Sequence, residues 1–248
     1  MVAENVKNIW RRIEGTCVRV GRSAKDITLV AVAKTFAGAR IREVVDAGVP
    51  DIGENFVQEL LRKREEVEDD RIRWHFVGHL QTNKVKRIVE WIHLIHSVDS
   101  FRLGKEIAKY AGQMRRSVNV LVEVNTSGET AKYGVKPEET EALVEELSEL
   151  PAVKVLGLMT IGPFPPESMV RELPDPESSR PAFRILRELR DNIQQKGLSL
   201  SHLSMGMTND FEVAIEEGST MVRIGTAIFG ERIKRAGGTD DTLRKELP

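Results

Sequence analysis

ITLVAVAK, residues 27–34, is a β-branched run that is apolar at consecutive positions, the pattern of a strand covered on both faces in a parallel sheet. Segments of the same kind follow: DIGEN (51–55), RWHFVGH (73–79), LIHSVD (94–99), VNVLVEVN (118–125), VKVLGLMTI (153–161), SLSHLSMG (199–206) and TMVRIG (220–225). Between them lie stretches whose apolar residues step by three and four, such as Ile41, Val44, Val45, then Leu60, Leu61, Val67, then Val85, Ile88, Val89, and Phe183, Leu186, Leu189, Ile193. Strands alternating with helices at roughly 25 to 30 residue spacing predict parallel βαβ units, and eight of them suit a closed (β/α)8 barrel, with a doubly wound open sheet as the alternative. Upstream, Val2, Val6, Ile9, Trp10, Ile13, Cys17 and Val20 form one helical stripe, so residues 1–22 read as a leading helix. Gly162 to Pro181 holds six of the ten prolines but is followed by only about two βα units, too little for a separate core. That stretch therefore reads as a long βα loop, either a surface insertion or a lid, within a single domain spanning 1–248, of which 231–248 is a charged tail.

The chain has 248 residues, 40% hydrophobic and 30% charged, with a net charge of −1, which provides no global positive field for nucleic acid or anionic lipid. A single cysteine, Cys17, excludes an intrachain disulfide and a cysteine-based zinc site and fits a reducing compartment, so the expected location is cytoplasmic. No run of about 18 apolar residues and no signal-peptide pattern is present, so no membrane association is expected. The basic stretch Lys84 to Arg87 reads as a solvated helix face or a contact for a protein partner.

In a parallel barrel the site lies where strands end, which makes Lys34, Glu54, Asn55, His79, Asp99, Asn125, Met159, Thr160, Ser204, Arg223 and Gly225 the candidates. Lys34 follows LVAVA directly: facing the barrel, its amine is partly desolvated and able to condense with a carbonyl, whereas facing out it snorkels into water. LSMGM (203–207) and VRIGTAIFG (222–230) put glycine and small hydroxyl residues just before helices, which reads either as ordinary turns or as a phosphate site of backbone N–H groups after strands seven and eight. Arg223 shares a strand face with Gly225, placing a permanent cation beside such a phosphate or in a salt bridge at the edge of the core. His75 and His79 lie about 13 Å apart along one strand, too far for one ion, and His75, His93, His96 and His202 read as structural; no metal ligand is assigned.

AVAKT (31–35), DIGENFVQE (51–59), WHFVGHLQTNK (74–84), HSVDS (96–100), GLMTI (157–161) and SMGMTNDFEVAIEEGSTMVRIGTAIFG (204–230) together resemble the pyridoxal phosphate homeostasis proteins, single-domain relatives of the N-terminal barrel of alanine racemase. The resemblance runs from end to end of the chain. It implies a TIM barrel of the alanine racemase N-terminal type that holds pyridoxal 5'-phosphate as a Schiff base on Lys34, with Asn55 beside the cofactor, Ser204, Gly225 and Thr226 on its phosphate, and Arg223 facing the pyridine nitrogen. His79 and Met159 would be site wall. The sequence departs from the family pattern at Thr208-Asn209, where serine and a variable residue are commoner, and at Phe56, which replaces a frequent tyrosine.

A racemase needs a second acid or base on the opposite face of the ring, which alanine racemases take from a second domain. Tyr133 is the one residue here that could substitute, and it reads more readily as a loop packing residue than as that acid or base. The expectation is therefore a monomeric carrier that buffers or supplies pyridoxal phosphate to acceptor enzymes, with no catalytic residue assigned. The alternatives are a weak amino-acid racemase or decarboxylase, a Schiff-base aldolase for a phosphorylated sugar, and a protein interaction module.

Overall fold

The structure is a computed structural model that describes residues 1–34, 36–129, 132–163 and 174–230. The tail 231–248 and the middle of the proline-rich loop, the stretch that reads as an insertion or a lid, lie outside the described residues.

Eight strands close into a barrel in chain order: β1 (Thr28–Val32), β2 (Asp51–Glu54), β3 (Arg73–Phe76), β4 (Leu94–Val98), β5 (Val118–Glu123), β6 (Val153–Met159), β7 (His202–Ser204) and β8 (Met221–Ile224). Every adjacent pair is parallel, and closure is made by β8 against β1, with Thr28 opposite Met221 and Val30 opposite Arg223. Closure excludes the open-sheet alternative. Each strand is one to five residues shorter than its apolar run, because the last residues of each run leave the ladder to begin the loops at the barrel mouth.

Around the barrel stand α2 (Gly38–Asp46), α3 (Val57–Val67), α4 (Phe101–Gln113), α5 (Thr140–Ser148), α6 (Arg180–Gln195), α7 (Phe211–Glu216) and the short α8 (Thr226–Phe229). The leading helix α1 (Val2–Arg19) packs its stripe of Val2, Val6, Ile9, Ile13 and Cys17 against α2, α7 and α8, and Asn5 Nδ2 donates to the Ile228 carbonyl at 2.9 Å. The helix expected after β3 is instead a 3₁₀ segment, Thr82–Arg87. Val85, Ile88, Val89 and Ile92 are fully buried as their spacing predicts, but residues 77–81 are spent crossing the mouth, and the remaining chain closes with i to i+3 bonds such as Ile88 N–H to the Val85 carbonyl.

Outward-facing strand residues such as Leu29, Ala31, Ile52, Trp74 and Phe76 join the helices in one continuous core. Inside the barrel a smaller group of Leu94, Leu121, Met159 and Met221 packs with Leu156. Side-chain alternation carried upward from that layer turns Lys34, Asn55, His79, Glu123, Ser204 and Arg223 inward at the C-terminal end. No described helix is long and apolar enough to cross a membrane.

Candidate functional site

Lys34 is half-buried, two residues beyond β1. Its strand lies between β2 and β8, so the residues that end those strands, Asn55 and Gly225, flank it on either side. A Cβ on Gly225 would come within 3.3 Å of the Val32 carbonyl, which measures how closely the two strand ends approach. Phe36 and Phe229 stack at 4.8 Å between ring centroids and tie the loop after Lys34 to α8. Gly225 caps α8 and the exposed Thr226 begins it, so backbone N–H groups of the first turn, which have no intrahelical partner, open beside Lys34.

Asn55 is held by a close crossing of the chain. A Cβ on Gly78 would lie 2.2 Å from the Asn55 carbonyl oxygen, so only glycine lets the β3 loop pass over it. The Asn55 side-chain oxygen Oδ1 is buried and has no hydrogen-bond partner among the described residues. A buried polar atom without a partner costs on the order of 1–3 kcal/mol, so this atom marks a place where a donor belongs. Its neighbour Glu54, also a strand-end candidate, points the other way and meets Lys63 of α3 outside the barrel.

Two strands round the barrel from Lys34, at the end of the β3 run, His79 Nδ1 lies 3.4 Å from Asp99 Oδ2, and its ring stacks on Tyr133 with centroids 3.9 Å apart. Tyr133 is thereby placed over the mouth and is half-exposed. Met159 is fully buried in the interior apolar layer and packs rather than reacts. Asn125 is drawn out of the mouth into its own loop, accepting from Ser127 Oγ and the Gly128 N–H.

Glu123 was not among the strand-end candidates, yet it is buried at the end of β5. Burial, and then the neighbouring Asp99, push its carboxyl up to about 7 against the opposing pull of Arg223. The signal was present: Glu123 has the same parity as the interior Leu121. Arg223 is itself buried, and burial lowers its guanidinium to about 10. It donates from Nη1 to Ser204 Oγ at 2.6 Å and from Nη2 to the Thr160 carbonyl at 2.9 Å.

The Ser204 hydroxyl also meets His96 Nδ1 at 2.9 Å, so it is engaged from two sides inside the barrel. The loop after it is braced by Asp210, whose carboxylate accepts from the Met207 N–H at 2.7 Å and Ser179 Oγ at 2.7 Å. Asn209, a departure from the family pattern, donates to the Pro174 carbonyl at 2.6 Å and ties down the return of the proline-rich loop. His75 and His96, read from the sequence as ordinary structural histidines, touch at 2.9 Å within the barrel. Asp51, His75 and His93 converge at its N-terminal end, with one potential ligand atom from each lying within 4.8 Å of the others. Arg73 occupies both Asp51 oxygens, at 2.7 and 2.5 Å, which makes this an ion-paired cluster.

The mouth thus combines a lysine amine, an unsatisfied amide oxygen, a turn rich in N–H donors, a buried arginine and a carboxyl that titrates near neutrality. Residues 5–233 match the family described as alanine racemase, N-terminal domain. The pyridoxal phosphate homeostasis protein of Aquifex aeolicus is 49% identical over 230 residues, covering 92% of this chain and 97% of that protein. The Escherichia coli K12 protein of the same name is 37% identical, covering 93% and 97%. Among solved structures, PipY of Synechococcus elongatus PCC7942 with PLP bound superposes with a TM-score of 0.78 at 33% identity, covering 93% of this chain and all of that one. An alanine racemase of Clostridium difficile 630, at 15% identity, a TM-score of 0.68 and coverage of 96% of this chain and 59% of that one, shares the barrel. The chain belongs to the alanine racemase N-terminal domain family and, within it, to the pyridoxal phosphate homeostasis proteins.

Proposed function

We propose that this chain binds pyridoxal 5'-phosphate at the C-terminal mouth of its barrel and serves intracellular vitamin B6 homeostasis, holding the cofactor reversibly on Lys34 and buffering or supplying it to acceptor enzymes in the cytoplasm. The observation that carries this reading is Asn55: a buried amide oxygen with no hydrogen-bond partner among the described residues stands beside Lys34, while the Gly225–Thr226 turn stands on the other side. A ligand that brings a donor to the first, an aldehyde to the second and a phosphate to the third fits this set of groups. Kinship with pyridoxal phosphate homeostasis proteins and with a PLP-bound homologue supports it.

When bound, pyridoxal phosphate supplies an aldehyde that condenses with an amine as water leaves, and a ring that withdraws electrons from bonds at that carbon. Lys34 provides the amine. The first-turn N–H groups at Gly225 and Thr226 would hold the phosphate, and Asn55 Oδ1 would accept a hydrogen bond. Arg223 would face the ring nitrogen as a cation and so would disfavour its protonation and weaken electron withdrawal, which would suit retention and release more than bond cleavage at an amino acid. Ser204, whose oxygen accepts from the Arg223 guanidinium, would stand with Gly225 and Thr226 on the phosphate side. His79 forms wall.

One observation favours a second reading, a weak amino-acid racemase or decarboxylase: Glu123 titrates near 7 in the mouth and Tyr133 lies over it. The two readings separate on one protein preparation. A carrier retains pyridoxal phosphate through desalting, restores activity to an apo pyridoxal phosphate enzyme, and leaves the α-hydrogen of alanine unexchanged in D2O. Failure to retain the cofactor contradicts both readings, and rapid α-exchange replaces the first with the second.

A further inference from the structure

The interior of a parallel barrel is ordinarily filled by layers of branched apolar side chains. Here one sector is polar from the N-terminal end to the mouth. Arg73 grips Asp51; Asp51 Oδ1 meets His75 Nε2 at 2.9 Å; His75 Nδ1 meets His96 Nε2 at 2.9 Å; His96 Nδ1 meets Ser204 Oγ at 2.9 Å; and Ser204 Oγ accepts from Arg223 at 2.6 Å. Asp51, His75 and His96 have no part in holding the cofactor, yet they reach a residue of the mouth.

The chemistry of the ends sets the polarity of this chain. Arginine only donates, so the Ser204 oxygen accepts from Arg223. Burial works against the Asp51 charge, but hydrogen bonds from His75 and Arg73 hold the carboxyl down at about 2, so it only accepts and His75 carries its hydrogen on Nε2. In the uncharged chain His75 Nδ1 then accepts from His96 Nε2–H, and His96 Nδ1 accepts the Ser204 hydroxyl hydrogen. That hydrogen faces into the barrel, and Ser204 has nothing to donate at the mouth.

One added proton reverses every link. The Ser204 oxygen takes a proton from the mouth and passes its own to His96 Nδ1, while His96 Nε2 passes its hydrogen to His75 Nδ1. An O–H and an N–H bond break as an O–H and two N–H bonds form. The charge comes to rest on His75 against the Asp51 carboxylate, and His96 ends neutral in the opposite tautomer. Ser204 now has a hydrogen free for the mouth.

We propose that Asp51, His75 and His96 are positioning residues that orient the Ser204 hydroxyl, so that Ser204 donates to an anion at the mouth only when His75 is protonated. This rests on the phosphate-binding part of the function proposed above. The groups facing His75 place the charge there: Asp51 from β2 attracts it, Arg73 is neutralised by Asp51, and the His93 and His96 rings stand 5.3 and 5.2 Å from its own. His202 from β7 is also within electrostatic reach. His96 does not retain it, because complete burial and then the neighbouring His75 and Arg223 hold its imidazole well below the usual range. At the mouth, Asp210 and Glu123 offset Arg223.

Histidine-selective ¹⁵N labelling of the full chain without cofactor reads the switch directly. As the pH is lowered from mildly basic to mildly acidic, His96 is expected to change from the Nε2–H to the Nδ1–H tautomer in step with double protonation of His75. A His96 that keeps one tautomer, or becomes doubly protonated, overturns the proposal. Sulfate, whose charge is constant over this range, then reads the effect at the mouth. Affinity should tighten on acidification by about tenfold more in the parent than in His75→Gln, the value of one hydrogen bond to a charged group. Neutralisation of Glu123 tightens both proteins alike, so an equal pH dependence in the two also overturns it. Neither readout uses the cofactor, so failure to take up pyridoxal phosphate and failure of this coupling are distinguishable.

Discussion

The environment of Glu123 makes the stability of the protein depend on pH. Burial raises its carboxyl first, Asp99 adds to this, and Arg223 only partly offsets it, leaving a value of about 7 against about 4.3 in an unfolded chain. The folded state therefore binds this proton more tightly than the unfolded state. Its contribution turns unfavourable as pH rises above about 4.3 and reaches about 4 kcal/mol above pH 7. Glu123→Gln should accordingly stabilise the protein in urea unfolding at about pH 8 and lose that advantage near pH 4; an equal effect at both values contradicts the assignment. At this scale Lys34 and Asn55 were singled out in the sequence because they stand where strands end, and the resemblance supplied their expected roles. Glu123 was passed over because Asn125, with the same parity, stood nearer the apparent strand end, and Asn125 instead bonds within its loop. The engagement of the Ser204 hydroxyl was not legible, because it depends on His96 across the barrel and not on any spacing along the chain.

Helix α3 shows how an element positions the site without lining it. Its buried stripe of Val57, Leu60 and Val67 includes Lys63, which is fully buried. The Lys63 ammonium donates to Glu54 Oε1 at 2.5 Å and to the Ala33 carbonyl at 2.6 Å, fixing the peptide just before Lys34. Burial raises the Glu54 carboxyl above its ordinary range, with Lys63 as the main opposing influence. Lys63→Met should therefore leave a buried carboxylate without its cation and cost about 3–5 kcal/mol, whereas Lys63→Met combined with Glu54→Gln should cost less. Urea unfolding of the two variants checks this, and a double variant no more stable than the single contradicts it. In sequence, Glu54 reads as a mouth residue because it ends a strand; alternation turns it outward, next to the helix. Periodicity located the buried residues after β3 but not their 3₁₀ geometry, since Val85, Ile88 and Val89 satisfy either helix.

Over the whole molecule, the eight couplets were legible because short, largely apolar strand runs alternate with stretches that are apolar on one helical face. Closure was expected from the count of eight couplets, with an open doubly wound sheet as the alternative that shares the same local pattern, and the barrel is closed. What decides it is the pairing of β8 with β1, and that pairing also places the Gly225 turn beside Lys34. The fold and the site are therefore one construction: the barrel closes at the lysine. On this account Lys34 is the attachment point of pyridoxal phosphate, and the most direct test is borohydride reduction of the protein mixed with pyridoxal phosphate, followed by peptide mass mapping. The account predicts an imine absorption band before reduction and a pyridoxyl adduct confined to the peptide containing Lys34. Folded protein with no such band and no adduct at Lys34 would contradict it.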